Sequence, residues 1–448
     1  MSRTVFGLSL IYAVRMLGLF MVLPILSLAL ESYPNATATW IGVALGIYGA
    51  TQCVFQLPLA AWSDRAGRKF VISVGLILFV LGSFLAAWAD SIWLIIAGRA
   101  LQGAGAVAAT VMALMTDLVP EDRRGRAMAS IGASIGLAFG VAMVIGPAIY
   151  ASFDLEGVFV VGGLLGIVAL ILLWTMVPNP KADIFHNDVR AKGLREVFGE
   201  RELLRAAVGV FALHAALMAM FLSMPTLLDR LDVVSSDSLS WFYLAIIGSS
   251  FIFMVPLVIL AEVKRHMRAS LRIAVSLVCI ACGVLFMTDS KYVLIAALWW
   301  FFVGFNLAEA LLPSLVSKIA PVGRRGASMG IYSTAQFGGA FVGALLAGVC
   351  MDLFGVKGPF AVAFLLSLVW LAAVVGMRPV SYLKNDSLCL DDFDRDAVED
   401  QLKGVPGLTK VVFDDASNHV YMKVDADTYT RSAMLEAVDT ARTSHLKN

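Results

Sequence analysis

Twelve apolar runs, each near the length that crosses a bilayer, fill residues 5–379 almost without a gap. A helix needs about 20 such residues to span the hydrocarbon. Within it every backbone N–H and C=O must be paired inside the segment. The runs fall near 5–30, 37–62, 70–89, 92–119, 126–152, 156–177, 203–228, 238–261, 270–288, 292–319, 327–352 and 357–379. Charged residues make up 15% of the chain and hydrophobic ones 59%, which leaves too little charge to cover a soluble domain of this size. The lipid bilayer is the expected solvent. A net charge of +1 gives no electrostatic pull toward nucleic acid. No cleavable leader is expected, because the first run continues past a leader's length and carries Arg15.

The connections between runs fix an orientation. With the N-terminus inside, the inside connections hold nineteen Lys and Arg, among them Arg65, Arg68 and Lys69, Arg123, Arg124 and Arg126, and Lys264, Arg265 and Arg268. The outside connections hold Arg230, Lys291 and Lys357. Basic residues stay on the cytoplasmic side. Both termini are therefore expected in the cytoplasm, and the chain in a bacterial inner membrane.

The chain also repeats. Pro120, Arg123, Arg124, Gly125 and Met128 recur as Pro321, Arg324, Arg325, Gly326 and Met329, and Gly103 recurs as Gly304 at the same shift. Two parallel six-helix halves follow, residues 1–180 and 203–380, joined by a basic cytoplasmic linker, 181–202. Val189–Leu204 reads as an amphipathic helix on the membrane surface. Halves of this kind can rock about a central site. Beyond them the chain changes character: residues 391–448 hold 12 acidic and 7 basic residues and no long apolar run. Asp394 is placed to cap a helix through Val398 and Leu402 that ends at Gly404. Leu408–Phe413 and Val420–Val424 read as strands around a turn at Asp414–Asn418, and a second helix lies near Arg431–Arg442. With a strand near Leu388, residues 388–448 form a small α+β ferredoxin-like domain. The expected fold is thus an all-α polytopic membrane bundle of twelve helices plus this cytoplasmic domain. Its acidity suggests docking on the basic loops; the alternative is an independent appendage.

Cys53, Cys279, Cys282, Cys350 and Cys389 are scattered and form no disulfide framework. Cys279 and Cys282 lie in an apolar run without basic or His neighbours, so neither metal nor redox chemistry is expected. No phosphate loop, nucleophile elbow or metal cluster is present. No cofactor, no enzymatic activity and no ATP-driven step are expected.

The segment Asp64-Arg65-Ala66-Gly67-Arg68-Lys69, between the second and third spans, resembles the signature loop of the major facilitator superfamily, with Ala60 where the family has its leading Gly. Arg99, Gln102, Gly103 and Gly105 match its R-x-x-Q-G-x-G pattern. Gly146-Pro147 matches the core of its antiporter motif, although Ala142 and Tyr150 replace the flanking glycines. The pattern is closest to the family's drug-exporter-like members. The resemblance implies that Asp64, Arg65, Gly67 and Arg68 form a conformational latch holding the outward-open state. Physical reasoning adds that Gly67 permits a tight turn and that Arg68 is placed to pair with Asp117. The plainer reading is that these charges anchor loops and set topology. Gly132, Gly136, Gly140, Gly146 and Pro147 make the fifth span a close-packing, bendable helix.

Ionisable residues inside the spans are sharper signals, because buried charge in hydrocarbon is costly and must face a cavity or a partner. They are Arg15 in the first span, Arg99 in the fourth, His214 in the seventh and Glu309 in the tenth. In the family resembled, these helices line the central cavity. Glu309 is the candidate proton carrier and His214 a relay or gate. Arg15 is a candidate to hold an anionic group or to bias Glu309; Arg99 is a candidate for structural support or substrate contact. Met16, Met21, Met218, Met220 and Met224, with Phe20, Trp299 and Trp300, are candidates for an adaptable apolar pocket or for a lipid-facing surface. The leading expectation is proton-coupled export of a small, partly apolar substrate. The rivals are an uptake symporter or facilitator and a membrane sensor with the tail domain as output.

Overall fold

The computed structural model describes residues 3–119, 121–179, 199–234, 238–321, 325–378, 383–389, 395–402, 404–414, 419–425 and 428–445. The linker expected at 181–202 and its surface helix fall mostly outside these residues, as do the cap at Asp394 and most of the turn at Asp414–Asn418.

Among the described residues, twelve spanning segments are present. They are Arg3–Phe20 with Leu26–Leu30; Ala38–Ala66; Arg68–Ala87; Ile92–Ala104 with Ala108–Leu118; the two arms of Glu121–Met176; Arg201–Arg230; Leu239–Glu262; Met267–Met287; Lys291–Ile319; Arg325–Phe354; and Gly358–Val375. These are spans one to twelve below. Four run differently from the separate, continuous helices expected. Span one breaks at residues 21–25, where Pro24 has no N–H to give to the helical ladder. Span four breaks at Gly105–Val107, halfway across the membrane. Spans five and six are one helical stretch that turns at Phe153 and Asp154, Asp154 holding φ 53°.

The halves meet unevenly. On one face span two lies against span eleven. A Cβ added to Gly348 would sit 2.5 Å from Ala38 O, one on Gly42 2.4 Å from Ala344 O, and one on Gly49 2.7 Å from Phe337 O. Only hydrogen at those positions lets the backbones approach so closely. Farther along, the pair parts. A Cβ on Gly338 would reach Cys53 Sγ at 4.0 Å, and one on Gly330 would reach Leu57 at 3.9 Å. In span five, Gly132 and Gly136 meet nothing within 4 Å, and a Cβ on Gly140 would come no nearer than 3.9 Å to Phe251 of the other half. The bundle is therefore sealed at the end holding residues 30–38 and cleft at the end holding Gly67.

Polar clasps reinforce the seal. Asp352 of span eleven accepts the backbone N–H groups of Ala38 and Thr39, both at 2.9 Å, and the Thr39 hydroxyl at 2.5 Å. It caps a helix in the opposite half. Thr226 donates to Glu31 at 2.7 Å and Ser27 to the Phe221 carbonyl at 3.0 Å. A cap of this kind contributes about 1–2 kcal/mol. Asp352→Ala is accordingly expected to shift the balance about tenfold toward an open seal. Faster alkylation of a cysteine placed at Ala38 would report it.

The tail folds as a three-stranded antiparallel sheet, β1 (Leu383–Cys389), β2 (Leu408–Asp414) and β3 (His419–Asp425), in the order β1-β3-β2. Val398 and Leu402 of one helix and Met434 and Val438 of the other join Val420, Met422 and Val424 in its core. Tyr429 donates to Asp386 at 2.7 Å, and burial together with that bond pushes its phenol up. Lys423 donates to the Lys318 carbonyl at 3.4 Å. Burial, with Lys410 nearby, pulls the Lys423 ammonium down.

Candidate functional site

Two polar clusters lie near mid-membrane, one in each half. In the C-terminal half, His214 of span seven and Glu309 of span ten meet across Gln336 of span eleven. The His214 Nδ1–H donates to the Val210 carbonyl at 3.1 Å, which leaves Nε2 as an acceptor. The Gln336 amide nitrogen donates to His214 Nε2 at 2.8 Å and to Glu309 Oε1 at 3.3 Å. Glu309 Oε2 stands 3.8 Å from His214 Nε2, buried and without a hydrogen bond. With the ring neutral, Nε2 and Oε2 are two acceptors that face each other. The Glu309 side chain is 33% exposed and that of His214 11%, so the acid is the member open to the cleft.

Phe305 packs on His214 at 6.1 Å between ring centres, and Phe139 of span five packs on Phe305 at 6.0 Å and on Phe20 at 5.3 Å. Phe221 adds a further contact to Phe139. These rings join the two halves by apolar contact beside His214. Met16, Met21, Met218, Met220 and Met224 are buried in the packed core. Trp300 is 46% exposed on the outer surface, and Trp299 packs against it and Phe253, away from the polar clusters.

In the N-terminal half, Arg15 donates through Nη2 to Tyr48 Oη at 2.8 Å, to Gln52 Oε1 at 3.0 Å and to the Gly105 carbonyl at 3.4 Å. That carbonyl is free because span four breaks there. Arg99 donates from all three nitrogens, to the carbonyls of Ala44 and Leu45 and to Gln102, which in turn donates to Ser83. No contact joins Arg15 to Glu309: every hydrogen-bond partner of Arg15 belongs to its own half.

At the cleft end, Arg68 is buried between two carboxylates. It pairs with Asp64 four residues earlier and, through Nε at 2.9 Å, with Asp117 of span four. It also donates to Ser63 at 2.7 Å. Gly67 makes the turn at φ 96° with open space around it, so any side chain there meets backbone strain rather than a clash. Arg65 lies in the last turn of span two. All members of this cluster belong to the N-terminal half. Its counterpart in the other half is Glu262, which takes Lys318 and Ser314 at 2.5 Å each. Gly146 packs on span one, with Pro147 inside the same helix. Sequence reasoning singled out neither Gln336 as a bridge nor Asp352. Gln336 carries no charge, but it is a polar side chain inside an apolar span, and that was its signal.

A twelve-span bundle of two repeats with a mid-membrane polar site is the architecture of a secondary transporter. The match to the Major Facilitator Superfamily extends over residues 8–341, and the chain belongs to that family. It is 38% identical over 442 residues to the inner membrane transport protein YajR of Escherichia coli (strain K12), covering 97% of each chain. It is 30% identical over 169 residues, 37% of this chain and 38% of the other, to the class H tetracycline resistance protein of Pasteurella multocida. Among solved structures, a D-xylose-proton symporter superposes with a TM-score of 0.69 at 14% identity, covering 84% of this chain and 98% of that one. The protein is thus a multi-pass membrane transporter that works by alternating access, and its relatives are named as transporters rather than enzymes.

Proposed function

We propose that this protein is a proton-coupled exporter of small, partly apolar molecules, with Glu309 as the proton carrier. The observation that carries the reading is the mid-membrane trio of His214, Gln336 and Glu309, in which the acid is the more exposed member. In the neutral ring, with Nδ1–H held by Val210, His214 turns the Nε2 lone pair toward Gln336 and Glu309. Proton uptake by Glu309 would release the Gln336 amide from the carboxylate. Gln336 sits on span eleven, whose neighbouring Phe337 touches Tyr48 of span two. The proton is thereby linked to the helix pair that seals the bundle. A two-state element biased by a local charge change is what coupling requires. Export, rather than uptake, is the direction the resistance-protein relative favours.

The orientation rests on the basic connections: termini, cleft and tail lie in the cytoplasm of a bacterial inner membrane. The Lys423 contact with span ten supports docking of the tail on the transporter. The Arg68 pairs support a latch within the N-terminal half.

Glu309→Gln is expected to leave exchange of labelled substrate across vesicles nearly unchanged while abolishing its accumulation against a gradient. Accumulation at the parent level in that variant would remove Glu309 as the carrier.

A further inference from the structure

Arg15 is the buried cation that its surroundings do not satisfy. It is 1% exposed, and its Nε and Nη1 have no hydrogen-bond partner. Gln52, whose carbonyl oxygen is taken by Arg15, leaves its Nε2 equally unpartnered. Arg99, nearby and as deeply buried, has an acceptor for each nitrogen, so depth alone does not explain the difference. Both guanidiniums address Tyr48, Arg15 by a hydrogen bond and Arg99 over the ring at 5.4 Å. No carboxylate lies within the interiors of spans one to six to balance them. Three unpartnered donors and uncompensated positive charge make a site short of an anion. The break in span four adds to this. The half-helix Ala108–Leu118 begins three residues after Gly105 with no side-chain cap, so a positive helix end opens next to the carbonyl that Arg15 holds.

The position suits cargo. Arg15 lies twelve residues into a helix that starts at the cleft end, roughly 18 Å deep. Gln52 adjoins Cys53, where span two starts to part from span eleven, while Gly49 just beyond is still in tight contact. The site therefore sits at the apex of the cleft. Phe20, Phe139 and Phe305 form an apolar surface in the same interface.

We infer that Arg15 and Gln52 form the docking point for an anionic group, carboxylate or sulfonate, on an otherwise apolar cargo. This names the substrate class of the transport reading above and rests on it.

The test is thermal stability of the purified full-length protein with a panel of aryl carboxylates, their neutral amides, lipophilic cations and sodium chloride at equal concentration. At least one carboxylate is expected to raise Tm where its amide does not. Arg15→Met is expected to weaken that binding on the order of a hundredfold, and Gln52→Leu about tenfold. Arg15→Lys, which keeps the charge but loses the fork, should fall between them, and it keeps the test valid should Arg15→Met fail to fold. Stabilisation by cations only, by chloride alone, by amide and acid alike, or by no anion would overturn the inference. If the acid binds through Arg15 yet drives no opposed proton movement, antiport falls and the anion site stands.

Discussion

Gly42→Leu is expected to hold the sealed end of the bundle open and to cut transport at least tenfold. A Cβ at Gly42 would lie 2.4 Å from the carbonyl oxygen of Ala344, and a leucine adds three further carbons in the same direction. The obstacle is backbone, which cannot rotate away as a side chain would. Overpacking a close seam costs about 1–3 kcal/mol or more. Each 1.4 kcal/mol shifts a two-state balance tenfold. The variant should therefore lengthen the distance between spin labels placed at the sealed ends of spans two and eleven. Gly136→Leu is the matched control: its added carbons enter open space in this state, and the seal should stay closed. Equal distances in the two variants would contradict the seam.

Arg68→Leu is expected to be the most destabilising single change at the cleft end, at about 3–5 kcal/mol. The substitution removes the buried cation that pairs with both Asp64 and Asp117. It also removes the donor to Ser63. Exchanging the charges, Arg68→Asp with Asp117→Arg, should recover part of the loss and not all of it. The exchange restores the pair between spans three and four, but it sets two acids side by side at positions 64 and 68. Adding Asp64→Asn to the exchange should recover more. Melting temperature in detergent reads the stability, and uptake into vesicles reads the function. A double exchange no better than either single change would show that Arg68 and Asp117 act independently.

Much of this architecture is written in the chain. The spans follow from the length of the apolar runs, and the halves from the recurrence of Pro120, Arg123 and Gly125 at Pro321, Arg324 and Gly326. The tail's strand order agrees with the ferredoxin-like arrangement expected from its pattern. The breaks were not evident, because Pro24 and Gly105 sit in runs whose hydropathy continues unbroken on both sides. Depth pairing was also hidden. The sequence places Arg15 and Glu309 in cavity-lining spans, but only the packed bundle shows that Arg15 answers to Tyr48, Gln52 and Gly105 while Glu309 answers to Gln336. Asp352 reads in the sequence as an ordinary charge at a span end. Its role depends on a helix start more than 300 residues away.

The most direct test is proton movement across vesicles reconstituted with the full-length protein, followed with an internal pH dye as cargo is added, with the parent beside Glu309→Gln. The account expects substrate to drive a proton current in the opposite direction in the parent and none in the variant. Substrate movement without proton current in the parent, or full coupling in the variant, would contradict it.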